Sequence, residues 1–298
     1  MSDFDLHATI SRLFVYPIKS CAGVELNECL LIETGLEFDR AWMVVDEENE
    51  FVSQRELPRM ALIQPQLKHS EMVLRAPGML ALHISLESVE QACVVRVWND
   101  TCKAYDMGDT AAQWFTDFLM QDRPAGMPAT KLRLVRFDPE HKRLSDMKWT
   151  KGLEARNQFS DGYPLLVISE ASVVELNTRL NAAGHASVGV ERFRPNIVLA
   201  GLQSHDEDRT DQLQIDTSLG LVQLDLVKPC PRCPIPEIDP KTALSNPEVS
   251  TVLQTYRQDR RVNGAITFGM NAVVIGQTES QFELPLAIGQ VIKGALRF

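Results

Sequence analysis

The stretch of residues 10–18, ISRLFVYPI, decides the fold class, because it is a short run of β-branched, leucine and aromatic residues that ends in Pro-Ile. Comparable runs follow at residues 24–32, 41–45, 62–67 and 80–86, and Pro, Gly or acidic turns separate them. Such runs are typical of β-strands. No helical pattern of about ten residues lies between them, which argues against a βαβ arrangement. Short strands at this spacing indicate a barrel or a sandwich.

Helical patterns are few and come later in the chain. Residues 110–120, TAAQWFTDFLM, are amphipathic, with Asp109 as a candidate N-cap. A second helix is predicted from the cap Ser169 to Leu180, although Glu170 and Ser172 leave other N-cap registers open, and a third over residues 249–256. The sequence therefore predicts a mainly β (α+β) protein with a few flanking helices.

The composition is that of an ordinary globular protein, and it narrows the range of partners and locations. Of 298 residues, 44% are hydrophobic and 23% charged, with a formal net charge of -10, which argues against nucleic acid and anionic membranes as partners. No apolar run approaches the roughly 18 residues of a membrane span. The N-terminal residues lack the apolar core of a secretory signal, and six Cys make no disulfide framework in a chain this long. We expect a cytoplasmic location.

Residues 228–236, KPCPRCPIP, carry the strongest local feature, a pair of cysteines among prolines. Proline fixes φ and removes an amide donor, so we expect a rigid, non-helical loop. Lys228 and Arg232 favour the thiolate forms of Cys230 and Cys233 by Coulomb attraction. The pattern predicts a thiolate held in place as a nucleophile or a metal ligand. Half of a zinc site, a thioredoxin-type redox pair and two packed core cysteines stay open as alternatives.

Basic side chains and small polar residues near predicted strand ends form a second feature. In chain order they are Lys19, Ser20, Arg40, Arg192, Arg194 and Asn196. Arginine at strand ends in an acidic chain is what an anionic ligand such as a phosphate requires. For any single one of them, an ion pair with a neighbouring acid is the alternative. The six His are scattered without an HxH or HExxH pattern, so His-based zinc catalysis is not expected.

Four weaker signals remain, and three of them have two interpretations each. The polar segment 138–161 predicts a long loop, and the basic stretch 131–156 either lines the mouth of a site or is a solvated face. Asp161, before a predicted strand, is either a turn residue or a catalytic acid, with the turn favoured. Gly269 interrupts a strand pattern, either for close approach of a ligand to the backbone or for a bulge.

Taken together, these residues resemble the MOSC family, the domain of molybdenum-cofactor sulfurases. The resemblance is greatest to the two-part subgroup that includes the mitochondrial amidoxime-reducing component and its bacterial relatives. The strings that resemble the N-terminal β-barrel domain of that subgroup are LFVYPIKSCAGVEL and DRAWMVVDEENEFVSQRELPRMALI. Those that resemble its MOSC domain are, in order, DGYPLLVISEASVVELNTRL, ERFRPNIVLAG, VKPCPRCPIPEIDPKT and ITFGMN. With residues 121–130 as linker, this implies an N-terminal MOSC-type β-barrel domain over 1–125 and a MOSC β-barrel domain over 126–298.

The resemblance also implies a cofactor and a set of site residues. The cofactor is a molybdenum cofactor, a molybdopterin whose metal takes one Cys thiolate. By resemblance, the metal ligand and catalytic residue is Cys233, with Cys230 in support. The implied cofactor-binding residues are Lys19, Ser20, Arg40, Gly162, Tyr163, Arg194, Asn196, Arg232 and Cys233. Close relatives carry small hydroxyl residues where this chain has Gly162 and Tyr163, so we expect one hydrogen bond to the pterin to be missing and Tyr163 to narrow the entrance.

The function that the resemblance implies is a molybdenum-dependent oxidoreductase that reduces N-hydroxylated compounds such as amidoximes and hydroxylamines. Some bacterial relatives carry a C-terminal ferredoxin-like domain, and this sequence has no Cys run of that kind. Electrons are therefore expected from a separate donor protein, ferredoxin- or cytochrome b5-like, with a flavin reductase. Two alternatives follow from the same resemblance: a sulfur carrier with a persulfide on Cys233, and a non-catalytic protein that stores or delivers molybdopterin.

Overall fold

The structure is a computed structural model that describes residues 4–275 and 283–297, and its mainly β content confirms the predicted fold class. In chain order the strands are β1 (Leu6–Val15), β2 (Val24–Leu26), β3 (Glu28–Ile32), β4 (Gly35–Leu36), β5 (Trp42–Val45), β6 (Gln64–Leu67), β7 (Glu71–Arg75), β8 (Leu82–Ser85), β9 (Ala92–Val97), β10 (Asp100–Asp106), β11 (Arg133–Phe137), β12 (Leu165–Ser169), β13 (Ile197–Ala200), β14 (Thr210–Thr217), β15 (Gly220–Pro231), β16 (Gln258–Asp259), β17 (Ala265–Ile275), β18 (Leu284–Ala287) and β19 (Val291–Leu296). Among the described residues the α-helices are α1 (Asp109–Gln121), α2 (Glu170–Ala182) and α3 (Glu248–Gln254). None of these helices is long and apolar enough to cross a membrane.

Seven of the strands close into a barrel. Their order is β12–β13–β1–β19–β14–β15–β17, and β17 pairs with β12 to complete the circle. β12 and β13 run parallel, whereas the other neighbours are antiparallel. Every second residue of a strand lies on the same face, and these apolar positions form one buried cluster that includes Leu13, Val167, Leu199, Leu224 and Ile292.

Two smaller sheets, formed mainly by strands of the first half, lie beside α1. β5, β11, β10 and β9 make one sheet, and β6, β7 and β8 make another. Apolar residues three and four apart give α1 one buried face, with Trp114, Phe115 and Phe118, which packs against β8 and β11. Strands from both sides of the predicted boundary share sheets, since β1 pairs with β13 and β11 pairs with β5. The domain limits 1–125 and 126–298 stay a prediction.

The starts of α1 and α2 show how local sequence rules apply here. Ser169 Oγ accepts a hydrogen bond from the Ser172 amide at 3.1 Å, which confirms Ser169 as the N-cap of α2. The prediction that Asp109 caps α1 is wrong, because Asp109 is the first helical residue and Gly108, with φ of 89°, occupies the N-cap. The Asp109 carboxylate pairs with Arg133 at 3.0 Å and places negative charge in the first turn, where the helix dipole favours it.

Gly269 is required for packing within the barrel. Its φ is 77°, and a Cβ at this position would lie 2.6 Å from Ile168 Cγ1 and 2.8 Å from the carbonyl oxygen of Val167. The backbone of β17 therefore approaches β12 more closely than a side chain would allow. The close approach at Gly269 is therefore made by a neighbouring strand and not by a ligand, and the ladder between β17 and β15 shifts register at this point, in agreement with the bulge alternative.

Candidate functional site

A cleft of about 200 Å³ lies where β1 ends and β12 and β13 begin. Leu13 of β1 pairs with Ile197 of β13, and Ile197 pairs with Val167 of β12, so these three strand ends lie together. β15 reaches the same place through β17, which pairs with both β15 and β12. All of the predicted site residues line this cleft, namely Lys19, Ser20, Arg40, Gly162, Tyr163, Arg194, Asn196, Arg232 and Cys233. Their individual roles stay predictions.

The cleft is basic, although the protein as a whole is acidic. Among the described residues, one acidic side chain, Asp161, lines it together with six basic ones, Lys19, Arg40, Arg55, Arg194, Lys228 and Arg232. The whole chain has a formal net charge of -10, so positive charge is concentrated at this place. A concave surface of this sign attracts anionic ligands.

A buried polar network fixes Arg40. Its Nη1 donates to Asp39 Oδ1 at 2.7 Å and to Asn196 Oδ1 at 3.2 Å. Asp39 also accepts the amide of Tyr16 at 2.8 Å, and Asn196 Oδ1 accepts the amide of Leu166 at 3.1 Å. The side-chain oxygen of Asn196 is therefore already used by two protein donors. Asn196 lies in the cleft as predicted, and its side-chain oxygen orients Arg40.

Arg194 presents a donor that the protein does not use. The residue has a left-handed backbone, with φ of 58°, and its Nη1 donates to the carbonyl of Cys21 at 2.6 Å. The guanidinium carbons of Arg194 and Arg40 lie 4.2 and 4.4 Å from the centroid of the Tyr16 ring. Nη2 of Arg194 is buried without a hydrogen-bond partner among the described residues. Burial, assisted by the nearby charge of Arg40, lowers the pKa of Arg194 to about 10, so the group is still a cation at neutral pH.

Lys19 and Asp161 form an ion pair within the cleft. Lys19 is 5% exposed, and its Nζ donates to the carbonyl of Phe159 at 2.8 Å and to Asp161 Oδ1 at 2.5 Å. Trp98 Nε1 donates to the same carboxylate oxygen at 3.3 Å. Burial lowers the pKa of Lys19, and Asp161 opposes that effect. Desolvation disfavours the charged form of Asp161, but its side chain is 61% exposed, and the ammonium of Lys19 outweighs the desolvation and holds the pKa of Asp161 below its usual range.

The cysteine motif begins inside a strand. β15 runs to Pro231, so the prediction of a loop starting at residue 228 is wrong as far as Pro231. The ladder to β17 shifts register on both sides of Pro229, which lets a strand that contains prolines remain paired. From Arg232 onwards the chain leaves the strand, and one 3-10 turn follows at Ile235–Glu237. No α-helix opens at the cysteines, so the thioredoxin-type alternative lacks its structural context among the described residues.

The two cysteines of the motif have different surroundings. Arg232 Nη1 donates to Cys230 Sγ at 3.0 Å, and its Nη2 donates to the carbonyl of Phe193 at 3.0 Å. Cys233 is half-buried and lines the cleft, and within residues 4–275 and 283–297 its Sγ has no hydrogen-bond partner. No set of three or more His, Cys, Asp or Glu in that part of the chain is arranged to hold a metal, which disfavours the zinc alternative. Cys233 is thus the thiol that is free to meet a ligand from outside.

Two family models match the chain, the MOSC N-terminal beta barrel domain over residues 7–122 and the MOSC domain over residues 154–293. The chain belongs to the MOSC family. It is 35% identical to mitochondrial amidoxime reducing component 2 of Rattus norvegicus over 260 residues, which covers 84% of this chain and 72% of that protein. Identity to mitochondrial amidoxime-reducing component 1 of Homo sapiens is 33% over 259 residues, with coverage of 84% and 72%. Molybdenum cofactor sulfurase of Bos taurus is 31% identical over 278 residues, which cover 87% of this chain and 30% of that protein.

The family membership confirms the resemblance that the sequence motifs indicate, and the structure shows how this MOSC protein fills position 163. A Cβ at Gly162 would meet nothing within 4 Å, whereas the hydroxyl of Tyr163 is buried without a hydrogen-bond partner among the described residues. Burial raises the pKa of Tyr163, so the hydroxyl keeps its proton. Tyr163 therefore contributes an unused donor to the wall of the cleft.

Sequence reasoning missed Ser53 and Arg55, which line the cleft of the MOSC protein from its first half. The Arg55 guanidinium carbon lies 4.6 Å from the centroid of Trp98 and 5.7 Å from that of Phe51. Trp98, at the turn between β9 and β10, is 47% exposed. Residues 53–57 form a turn with no strand pattern, and the contact with Trp98 is distant in sequence. No local signal marks these residues.

Arg192 has a different role from Arg194, although only one residue separates them. Its Nη2 lies 2.8 Å from Asp239 Oδ2, and its Nη1 donates to the carbonyl of Glu237 at 2.9 Å. It does not line the cleft, and it anchors the segment that follows Cys233. Arg192 thus makes an ion pair, as the alternative predicts, but the pair is buried and its acid is Asp239 rather than the sequence neighbour Glu191.

The long loop of this MOSC protein is ordered by a buried arginine. Arg143 Nη1 donates to Asn157 Oδ1 at 2.6 Å and to the carbonyl of Ser160 at 2.7 Å, and its Nε lies 2.8 Å from Asp100 Oδ2. Within the described ranges, no basic side chain of residues 131–156 lines the cleft. The anchored loop ends at Asp161 and brings that residue to Lys19.

Proposed function

We propose that this MOSC protein binds a molybdenum cofactor and reduces N-hydroxylated compounds such as amidoximes. The observation that carries the proposal is that one cleft combines the free thiol of Cys233 with six basic side chains in a chain of net charge -10. The relatives from Rattus norvegicus and Homo sapiens are named amidoxime-reducing components, which supports this class of reaction.

The residues of the cleft fit a molybdopterin. A thiolate is a suitable ligand for a soft metal centre, and Cys233 would supply it. A pterin phosphate needs charge-assisted donors. Arg194 Nη2 and Arg232 Nε are buried without partners among the described residues, and both side chains line the cleft. Arg40, fixed by Asp39 at 2.7 Å, would add a third guanidinium.

The reaction assigns further tasks to side chains of the cleft. Reduction of an amidoxime to an amidine consumes two electrons and two protons and releases water. When bound, a molybdenum cofactor supplies the two-electron chemistry. Burial lowers the pKa of Lys19, so its Nζ, oriented by Asp161 and by the carbonyl of Phe159, is suited to deliver a proton to the departing oxygen. Asp161 is held in its ionised form and orients Lys19.

The test measures bound molybdenum and the reduction of benzamidoxime, with protein made in a host that produces the cofactor. The wild-type protein is expected to hold stoichiometric molybdenum and to form benzamidine when electrons are supplied. Cys233→Ser is expected to lose both properties and to keep the fold. Cys93→Ser, at another half-buried cysteine, in β9, is the matched control and should keep both properties. Full metal content and activity in Cys233→Ser would contradict the proposal.

A sulfur carrier is the second candidate, because molybdenum cofactor sulfurase of Bos taurus is 31% identical over 278 residues. A persulfide donor protein would transfer its outer sulfur to the thiolate of Cys233 and leave with its own thiolate. Cyanide-releasable sulfur on Cys233, without bound molybdenum, would favour this candidate. Bound cofactor without turnover would favour storage or delivery of molybdopterin.

The location and the partners are part of the proposal. We propose a cytoplasmic protein that takes electrons from a separate ferredoxin- or cytochrome b5-like donor with a flavin reductase, and that does not bind nucleic acid. All six cysteines are free, which is consistent with a reducing compartment. Cell fractionation and co-purification of the donor would test these points.

A further inference from the structure

Lys228 is a cation of the cleft that pairs with no acid among the described residues. Three of the other basic side chains have a carboxylate partner, since Lys19 pairs with Asp161, Arg40 with Asp39 and Arg55 with Glu56. Within the described part of the chain, the Nζ of Lys228 makes no ion pair and no side-chain hydrogen bond. Its charge is therefore available to an anionic group from outside.

Two aromatic rings place this ammonium. The Nζ of Lys228 lies 5.3 Å from the centroid of Trp149 and 5.6 Å from that of Tyr163. Both distances are within the range of a cation–π interaction, which orients a cation without cancelling its charge. The hydroxyl of Tyr163 is buried and has no partner among the described residues, so one of the two rings that this ammonium faces carries a second unused donor. Lys228, Tyr163 and Trp149 are together called the lysine subsite.

The lysine subsite is distinct from the arginine pair in the same cleft. Arg40 and Arg194 lie over the ring of Tyr16, whereas Lys228 lies over Trp149 and Tyr163. The arginine pair includes the unpartnered donor of Arg194 that suits a cofactor phosphate. A second anion-binding point in one cleft, with different side chains, indicates a second anionic group.

We propose that the lysine subsite selects N-hydroxylated substrates that carry an anionic substituent, a carboxylate or a phosphate. That substituent would accept hydrogen bonds from Lys228 Nζ and from the hydroxyl of Tyr163. Cys233 lines the same cleft, so the N-hydroxyl group of such a substrate is reduced nearby. The reduction rests on the proposed function, whereas anion selection rests on the geometry of the subsite.

The kinetic test uses two substrates that differ by one carboxylate, benzamidoxime and 4-carboxybenzamidoxime, with the molybdenum-loaded protein. The wild-type protein is expected to favour the carboxylated compound in kcat/KM. Lys228→Met is expected to lower the ratio of the two kcat/KM values roughly ten-fold, since a charge-assisted hydrogen bond is lost. Lys228→Arg should keep most of the preference. Lys103→Met, which removes an exposed lysine of β10, is the control and should leave the ratio unchanged.

A binding measurement separates the subsite from the reaction. Calorimetry on the same protein compares 4-amidinobenzoate with benzamidine, and the preference for the carboxylated compound should fall roughly ten-fold in Lys228→Met. If no N-hydroxylated compound is reduced but this preference is seen and lost in the variant, the subsite stands and the reaction does not. If reduction occurs with equal ratios in wild type and variant, the subsite is overturned and the reaction stands. Loss of molybdenum from Lys228→Met would assign Lys228 to the cofactor and overturn the subsite.

Discussion

The two ends of β12 carry polar clusters that differ in what surrounds them. At its start, the Leu166 amide bonds to Asn196, which orients Arg40 beside a cleft of about 200 Å³. At its end, the carboxylate of Glu207, 1% exposed, accepts the Ser169 amide at 3.1 Å and the Ser172 hydroxyl at 2.7 Å. In the first cluster the cation of Arg40 lies next to open space. In the second cluster the carboxylate of Glu207 is enclosed by the start of α2.

The comparison shows why a buried polar group is not by itself a functional site. Burial raises the pKa of Glu207, and its two hydrogen bonds secure the first turn of α2 against the barrel. Arg194 is also buried at one nitrogen, but its side chain borders the cleft and the free thiol of Cys233. Among the described residues both Arg194 Nη2 and Glu207 Oε2 are buried without a partner, so the difference is the accessible space beside Arg194. That space points to a ligand, whereas the enclosed carboxylate at a helix start points to stability.

Removing the carboxylate that fixes Arg40 is expected to have the largest effect on stability. The Asp39 side chain is 1% exposed, and Asp39→Ala leaves the guanidinium of Arg40 without its carboxylate partner. We expect the free energy of unfolding to fall by about 3–5 kcal/mol. Urea denaturation, followed by tryptophan fluorescence, measures this change.

A surface ion pair supplies the control for that measurement. Arg12 and Glu25 pair at 2.6 Å with side chains 36% and 46% exposed, and Glu25→Ala should cost less than about 1 kcal/mol. Equal losses in Asp39→Ala and Glu25→Ala would show that burial does not strengthen the pair at the cleft.

The enclosed end of β12 predicts a dependence of stability on pH. His205, whose amide donates to Ser172 Oγ at 2.9 Å, has a half-buried ring in contact with Tyr256 and Phe268. Burial, assisted by the charge of Arg257, lowers the pKa of His205 to about 4. The folded protein therefore binds this proton less tightly than the unfolded chain. The contribution of the neutral His205 ring to the free energy of unfolding is fully present above the free imidazole pKa of about 6.5. As the pH falls through about 4, this contribution is lost, and the free energy of unfolding decreases by about 3 kcal/mol.

The matched variant isolates this contribution from the acids that titrate nearby. Unfolding free energies of wild type and His205→Gln are compared between neutral pH and about pH 4. Glu175, Asp208 and Arg257 face the ring in both proteins, so their effects largely cancel in the difference. The wild type should lose about 3 kcal/mol more than the variant, and parallel curves would rule out the lowered pKa of His205.

Gly269, which packs against β12 between its two ends, allows a sharper comparison with a second glycine. Gly269 and Gly78 have φ of 77° and 76°, so alanine meets similar backbone strain at both. A Cβ at position 269 would lie 2.6 Å from Ile168 Cγ1, whereas one at position 78 meets nothing within 4 Å. Gly269→Ala should therefore lose about 1–3 kcal/mol more than Gly78→Ala in the free energy of unfolding. Equal losses of unfolding free energy in the two variants would mean that β17 and β12 can move apart at position 269 with little cost in free energy.

The sequence predicts the strands in which apolar residues are dense. It does not predict strands that form because they pair with neighbouring strands. β1 and β17 have long apolar patterns, whereas β14, which the sequence does not predict, has two buried apolar residues, Leu213 and Ile215, among polar ones. β14 is a strand because β15 and β19 flank it in the barrel. β18, also missed, is short, contains Pro285 and gains its place by pairing with β3.

The candidate site shows the same limit at the level of single side chains. The motif strings place Arg194 and Cys233 in the cleft, but spacing does not distinguish Arg194 from Arg192. A 3-10 turn at Val190–Phe193 and a left-handed Arg194 direct the two guanidinium groups to different partners. The sequence does not reveal Arg55, because its contact with Trp98 joins residues that lie far apart in the chain.

The smallest predicted effect concerns the affinity of the cleft for the proposed molybdenum cofactor. Arg194→Ala removes the buried Nη2 donor, and we expect the cofactor to dissociate roughly ten-fold faster, because one charge-assisted hydrogen bond to phosphate is lost. Molybdenum retained after repeated dilution and gel filtration measures the change. Arg12→Ala, which removes an arginine of the exposed pair, is the control.

The same variant also separates ligand binding from a structural role for Arg194. Arg194→Ala removes the bond from Nη1 to the carbonyl of Cys21, so the free energy of unfolding is measured on the cofactor-free protein in parallel. Faster loss of molybdenum with a stability change below about 1.5 kcal/mol would place the role of Arg194 in ligand binding. A large stability change with unchanged retention would make Arg194 a counterpart of Glu207, a buried group that serves the fold, and would remove it from the site.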